Sequence, residues 1–235
     1  MLAIMRRELG AFFSSIIGYA YLGVFYLATG LFFYAYLSSG SATADMSGIF
    51  GNMFMIILVF IPFLTMKLLS EEKKQKTDQA LLTAPISLFS LVFGKFLATI
   101  IIYLLCIAVF LVLALVMAIF APVSWVLIFG QFIGTFLMGA TLITIGMFMS
   151  SLTENQVIAA ISSLAISVAL LLIDSFTSMI SNPYIQLAVS KLSFSTHFTN
   201  FNSGVLDVAD FIFFLSLMAV FIFLTMRVFE KRRWS

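Results

Sequence analysis

The chain has 235 residues, of which 63% are hydrophobic and only 9% are charged. Soluble domains are about 45–50% apolar and about 25% charged, so this composition excludes a soluble globular protein and an intrinsically disordered one. The formal net charge of +2 also argues against a strongly basic nucleic-acid-binding protein. Because a membrane-spanning helix needs about 20 apolar residues, the length suits five or six spans.

A short amphipathic helix is predicted at residues 1–15, where Arg6, Arg7 and Glu8 are mixed with apolar side chains. This pattern is typical of a helix that lies in the membrane interface. Six apolar segments follow, at residues 16–37, 49–69, 92–120, 125–150, 157–173 and 211–229. Their hydrophobicity is continuous rather than alternating, which indicates helices and not barrel strands. The first segment is longer than the apolar core of a signal peptide, about 7–15 residues, so we expect no cleavage after it.

The distribution of Lys and Arg predicts the orientation of these spans. Cytoplasmic loops carry an excess of basic residues. With six spans, all of the 12 basic residues but Lys191 fall on one side of the membrane, and Lys191 falls on the other. We therefore expect a multi-pass protein of the cell membrane (plasma or inner), with both termini cytoplasmic. Residues 70–91 then form the main cytoplasmic loop and residues 174–207 the main external segment.

The sequence offers no catalytic, cofactor or metal site. The single Cys106 allows no internal disulfide, and a lone His197 is more often a packing residue than a metal ligand. Gly94-Lys95 resembles the end of a phosphate-binding loop, but Phe89 stands where the first glycine is required. If ATP drives this protein, another chain must bind it.

Polar residues inside the spans carry no charge, which argues against an ion-coupled transporter or channel. They are Asn52, Gln131, Thr135, Thr141, Thr144, Ser162, Ser163 and Ser167. We consider Asn52, Thr65, Ser162 and Ser163 as residues of a substrate path, with hydrogen bonding between helices as the alternative. A path without charges would suit an amphipathic or hydrophobic substrate better than a small ion.

Glycines along the fourth segment predict close helix packing. They are Gly130, Gly134, Gly139 and Gly146. A GxxxG pair permits two helix backbones to approach each other. We expect these glycines to mark contacts within the bundle rather than a dimer interface.

The loop from Glu71 to Ser87 combines a charged first half with an apolar second half. Such a segment suits a short cytoplasmic helix, predicted at residues 70–86, that docks another protein through its apolar end. Side chains four residues apart, such as Glu71 and Gln75, can meet on one face. A plain solvated connector is the alternative.

This loop resembles a motif of the type-2 ABC transporter permease family, in the branch that includes gliding-motility and copper-enzyme-maturation permeases. The family motif has an acidic pair, basic residues, a Thr, a Leu-Leu pair, a Pro and then a Gly-Lys that opens the third helix. The matching positions are Glu71-Glu72, Lys73-Lys74, Thr77, Leu81-Leu82, Pro85 and Gly94-Lys95. Lys76 departs from the pattern, because many members have glycine there. A second similarity runs from His197 to Ser216, with its His-Phe, Asn-Phe, Gly and Asp before the last span.

The resemblance implies a single permease domain over residues 1–235, with the fold of an all-α polytopic membrane protein. It implies six transmembrane helices, an N-terminal interfacial helix, a cytoplasmic coupling helix and re-entrant external helices within residues 174–207. The coupling helix would dock a separate cytoplasmic ABC ATPase that binds ATP and Mg. The coupling residues would be Glu71, Glu72, Lys74, Thr77, Asp78, Leu81, Leu82 and Pro85.

The implied function is that of the permease subunit of an ATP-driven exporter or flippase, a transport subunit and not an enzyme. A second copy or a related permease would complete the membrane part, and an auxiliary subunit with an external domain is a further possible partner. No nucleic-acid partner is expected. The alternative is a membrane scaffold or assembly subunit without a substrate path of its own.

Overall fold

A computed structural model describes residues 1–38, 47–77, 87–120, 122–177 and 193–233, and these are almost entirely helical. The helices are α1 Leu2–Phe13, α2 Ile16–Ser38, α3 Ser47–Thr65, α4 Lys67–Lys74, α5 Leu88–Phe120, α6 Trp125–Leu152, α7 Gln156–Thr177, α8 Phe194–Asn202 and α9 Val208–Arg233. The all-helical fold predicted from the continuous apolar segments is confirmed over this part of the chain.

Five stretches of helix within the described residues are long and apolar enough to cross a membrane. They are α2, the combined stretch of α3 and α4 (Gly48–Lys74), then α5, α6 and α9. The fifth predicted segment corresponds to α7, which includes a shorter apolar stretch, Gln156–Leu170. The chain is therefore a polytopic membrane protein by its helices, and the count of six spans stays a prediction.

The core of the bundle forms around α6. This helix contacts α3, α4, α5, α7, α8 and α9. In the most apolar window of α6, 67% of residues are buried, against 22% in α2 and in α9. The outer helices α2 and α9 expose many apolar side chains, as expected of helices that face lipid.

Small residues allow these close contacts along α6. A side-chain carbon at Gly139 would lie 2.1 Å from the ring of Tyr103 in α5, and one at Gly146 would lie 2.1 Å from Thr65 in α3. Gly130 and Gly134 lie against α8 and the turn that follows it. All four contacts are within one chain, which confirms the prediction that these glycines serve packing inside the bundle.

The second span ends differently from the prediction. Pro62 lies inside α3, and the helix breaks at Met66 before it resumes as α4 at Lys67. Proline removes the bond to the carbonyl four residues earlier, that of Leu58, so it does not account for the break at Met66, whose own N–H still bonds the carbonyl of Pro62 at 2.9 Å. Glu71 to Lys74 are thus the last turn of α4, which extends the second span beyond the break. They do not begin a separate helix at residue 70.

Several predictions fall partly or wholly outside the described residues. The coupling helix predicted at residues 70–86 is described only as far as residue 77, and the external segment only at residues 174–177 and from residue 193. Within the latter, α8 is a short helix that packs against α6. Its re-entry into the membrane, like the interfacial position of α1, stays a prediction.

Candidate functional site

Four charged side chains join three helices where α4 ends the second span. Lys95 of α5 is 1% exposed, and its ammonium nitrogen lies 3.0 Å from the carboxylates of both Glu8 in α1 and Glu72 in α4. It also donates a hydrogen bond of 2.8 Å to the carbonyl of Leu68. Arg7 lies 2.6 Å from the same two carboxylates. We call Arg7, Glu8, Glu72 and Lys95 the ion-pair cluster.

The charges within the ion-pair cluster stabilise one another. Burial raises the pKa of Glu8, but the charge of Lys95 and the hydrogen bonds from Arg7 and Lys95 outweigh it, and the net pKa lies below its ordinary value of 4.5. The hydrogen bond to Glu8 is the main reason that the pKa of Arg7 is raised. Glu8 is therefore an anion at neutral pH, as a buried cation such as Lys95 requires.

The Gly94-Lys95 pair has a structural role that the sequence did not reveal. It lies about two turns into α5, which begins at Leu88, and not at the opening of that helix. A side-chain carbon at Gly94 would lie 3.1 Å from the carbonyl oxygen of Met1 and 3.2 Å from Ile4. Glycine thus lets α1 approach α5 closely, and Lys95 then binds α1 through Glu8. The signal in the sequence that could have indicated this role is a lone lysine within an apolar run, because a buried cation needs an anionic partner.

Ser150, near the end of α6, bridges the break between α3 and α4. Its hydroxyl oxygen accepts hydrogen bonds from the backbone N–H groups of Leu69, at 3.1 Å, and Ser70, at 3.0 Å. It also donates one to the carbonyl of Met66, at 3.0 Å. Backbone groups freed at a helix break need such partners when they are buried. The start of α4 is therefore fixed to α6.

Lys73 makes a second connection between α4 and α6. Its ammonium donates a hydrogen bond of 3.1 Å to the carbonyl of Leu152, the last residue of α6, and lies 3.9 Å from Glu154. A cation at the C-terminal end of a helix also interacts favourably with the helix dipole. Together with the ion-pair cluster, these contacts bind α4 to α1, α5 and α6, so displacement of α4 must move or strain those helices.

The predicted coupling residues within the described part of the chain lie in different surroundings. Glu72 belongs to the ion-pair cluster, whereas Lys74 is exposed. Glu71 accepts a hydrogen bond of 3.3 Å from Gln75, the four-residue pair expected from the sequence. Thr77 donates one of 3.3 Å to the carbonyl of Glu72. Asp78, Leu81, Leu82 and Pro85 lie outside the described residues.

Lys76 follows the C-cap residue of α4, Gln75, and has φ = 58°, in the left-handed region that favours glycine. A residue in this conformation directly after a helix is a common C-terminal cap. The position where this chain departs from the family motif is thus one whose backbone conformation suits the glycine of other members.

The four predicted path residues divide into two pairs. Thr65 and Ser163 are buried and meet at Gly146, and Thr65 donates a hydrogen bond of 3.1 Å to the carbonyl of Ile61. This pair lies in a helix–helix contact of the single chain, but the hydrogen bond of Thr65 stays within α3 and the hydroxyl of Ser163 has no partner among the described residues, so the contact is one of packing and not of hydrogen bonding between helices. Asn52 is exposed on α3, and Ser162 is half-buried on α7.

A second polar cluster lies at the other end of α6. Asp210, in the first turn of α9, contacts the ring Nδ1 of His197 and accepts a hydrogen bond of 3.1 Å from Asn200, both in α8. The His197 ring stacks on Phe213, with ring centroids 4.1 Å apart. His197 therefore joins α8 to α9, and the sequence did not predict its contact with Asp210.

The aromatic and glycine residues of the same motif hold α8 in place. Phe201 packs into the surface left open by Gly134, where a side-chain carbon would lie 2.3 Å from it. Gly204 then reverses the chain with φ = 77° and lies against Leu127. The His-Phe, Asn-Phe, Gly and Asp pattern thus builds a packed helix and turn before the last span.

Residues 33–234 match the family described as ABC-2 family transporter protein. A search of curated proteins found no match. The matched region covers most of the chain, including α3 to α9. Together with the long apolar helices, this match shows that the chain belongs to the ABC-2 family of transporter proteins and is a membrane-spanning permease subunit of an ABC transporter.

Proposed function

We propose that this permease works in an ATP-driven exporter or flippase, and that the segment after α4 docks a separate cytoplasmic ABC ATPase. The observation that supports this most directly is the buried Lys95, paired with Glu72 of α4 and Glu8 of α1. A connector that only joined two spans would not require a buried cation shared among three helices, because burying a charge is costly. Such contacts suit a helix that transmits movement, because they couple its position to that of the two neighbouring helices.

The proposed mechanism begins at the cytoplasmic ATPase. ATP binding closes the ATPase, which moves the docked segment at residues 75–86. α4 passes this movement to α1 and α5 through the ion-pair cluster and to α6 through Ser150 and Lys73. The permease contributes two arrangements of its spans. ATP shifts their populations because the partner binds ATP more tightly in one arrangement than in the other.

The substrate path is proposed to run between this chain and a second copy or a related permease. Asn52 supports this proposal, because it is a polar side chain exposed on a helix that is mostly apolar. Such residues in spans commonly face a partner helix or a cavity. Thr65 and Ser163 are not assigned to this path, because they pack between α3, α6 and α7. Small side chains there would let these helices rearrange. An uncharged path favours an amphipathic or hydrophobic substrate.

The docking proposal is tested by purification in mild detergent from native membranes, followed by mass spectrometry. We expect an ABC ATPase to copurify with the wild-type chain. The double substitution Leu81→Asp and Leu82→Asp should release the ATPase, because it places two charges in an apolar contact, which costs several kcal/mol.

The matched control is Val205→Asp and Leu206→Asp, an adjacent pair of exposed apolar residues in the turn between α8 and α9. The control should retain the ATPase. If the Leu81 and Leu82 variant folds and still retains the ATPase as the wild type does, the docking segment has been assigned wrongly. If no ATPase accompanies the wild type, the scaffold alternative replaces the transporter proposal.

A further inference from the structure

A cavity of about 340 Å³ lies where α1 meets the first span. It is enclosed by α1, α2, the end of α3, α4 and α5. It is lined by three charged side chains, those of Glu8, Lys67 and Glu71, and by the aromatic rings of Phe12 and Tyr21. Ligand sites have volumes of about 300–1,000 Å³ and combine apolar walls with a few polar groups, so this cavity is at the small end of that range.

Two of the three charges make no ion pair among the described residues. Lys67 has no ion-pair or hydrogen-bond partner among the described residues. Glu71, one turn further along α4, accepts only the hydrogen bond from Gln75 within the same part of the chain. Glu8 differs, because Arg7 and Lys95 already balance its charge. The cavity therefore offers one cation and one anion to a ligand.

The rim of the cavity is apolar and exposed. Ile17 of α2 is 58% exposed and Phe63 of α3 is 55% exposed, and both line the cavity. In a membrane these side chains face lipid, so the cavity opens sideways toward acyl chains. A ligand can thus place a polar head inside while an apolar tail stays outside. The limited volume suits a head group and not a complete two-chain lipid.

The balance of charges selects the type of head group. Anionic lipids are bound by clusters of about four to eight basic residues. Here Lys67, which makes no ion pair with the described residues, stands beside the carboxylate of Glu71, which would repel a second negative charge. A head group with one phosphate and one ammonium satisfies both residues.

We propose that this cavity binds the head group of a zwitterionic phospholipid, with its phosphate at Lys67, its ammonium at Glu71 and its acyl chains along α2 and α3. The aromatic rings of Phe12 and Tyr21 add a surface on which the ammonium is attracted by the ring electrons. The binding requires this chain alone, so it does not rest on the proposed ATPase partner.

The test is native mass spectrometry of the delipidated chain in detergent, after addition of phosphatidylethanolamine or phosphatidylglycerol. We expect phosphatidylethanolamine to be retained about fivefold more, since one charge contact near a membrane surface is worth about that factor. Lys67→Gln and Glu71→Gln should each lower its retention by about the same factor. Lys67→Arg should keep most of it, because it preserves the cation.

Lys74→Gln is the matched control, since Lys74 lies on the same helix, is exposed and does not line the cavity. This variant should bind the lipid as the wild type does. Equal retention of the two lipids, or equal losses in Lys67→Gln and Lys74→Gln, would overturn the proposal. So would displacement of the lipid by soluble glycerophosphoethanolamine at equal concentration, because the ligand would then be a free zwitterion. The melting temperature of each variant, measured in the same detergent, separates loss of binding from loss of fold.

Discussion

Lys95 is the residue on which the coupling proposal depends most. It is buried, and it holds carboxylates from two other helices within 3.0 Å. From the sequence, Lys95 was read as part of a Gly-Lys pair in a family motif, and Glu72 as a residue for the ATPase partner. Lys95 lies 87 positions from Glu8 and 23 positions from Glu72 in the chain, so neither local spacing nor composition could have identified these two partners.

The substitution Lys95→Met should destabilise the protein by about 3 kcal/mol, because removing one partner from a buried ion pair leaves the other charge uncompensated. Arg227→Gln is the control, since Arg227 pairs with Glu230 at the surface, where such a pair contributes at most about 1 kcal/mol. Thermal unfolding in detergent measures both. Equal melting temperatures for Lys95→Met and Arg227→Gln would contradict the structural role of Lys95.

Glu8 gives the ion-pair cluster a defined response to pH. Its pKa in the folded protein is below the ordinary value of 4.5, so the cluster stabilises the fold fully above that pH. As the pH falls below 4.5, the unfolded state binds the proton first and this stabilisation is progressively lost. We expect Glu8→Gln to reduce the loss of thermal stability between neutral and acidic pH. The same acid dependence in the variant and the wild type would show that Glu8 does not contribute.

At the scale of the helices, the sequence predicted most of what the structure contains. Continuous apolar runs gave helices within a few residues of the observed bounds, because length and hydrophobicity alone require them in a membrane. The break at Met66 was missed, because Pro62 disturbs only the turn before it and no residue near Met66 marks a break. Ser150 closes that break from another helix, and this contact has no local signal in the sequence.

The packing of α3, α6 and α7 depends on Gly146. A side-chain carbon there would lie 2.1 Å from Thr65 and 3.1 Å from Ser163. We expect Gly146→Ala to destabilise the bundle by about 1–3 kcal/mol, as overpacking does in other cores. Gly23→Ala in α2 is the control, because nothing lies within 4 Å of its added carbon. Thermal unfolding that ranks Gly23→Ala as the more destabilising change would contradict this packing.

At the scale of the whole molecule, the structure places α4 at the junction of three other helices. The ion-pair cluster joins it to α1 and α5, and Ser150 and Lys73 join it to α6. The segment that follows α4 carries the family motif, and the family match covers residues 33–234. In the proposed mechanism the path from the ATPase partner to the spans is thus short, and of the residues along it only Glu72 is assigned to docking from the sequence.

The most direct test of this account is the reactivity of a cysteine placed at Asn52 in the complete transporter. The only native thiol, Cys106, is fully buried, so labelling reports position 52. The rate of reaction with a membrane-impermeant maleimide is compared with and without ATP and vanadate, which hold the ATPase in one state. We predict that this rate changes with nucleotide in Asn52→Cys, and that adding Lys95→Met abolishes the change while the ATPase stays bound. An identical rate in both nucleotide states, or a normal response in the Lys95→Met variant, would contradict coupling through the ion-pair cluster.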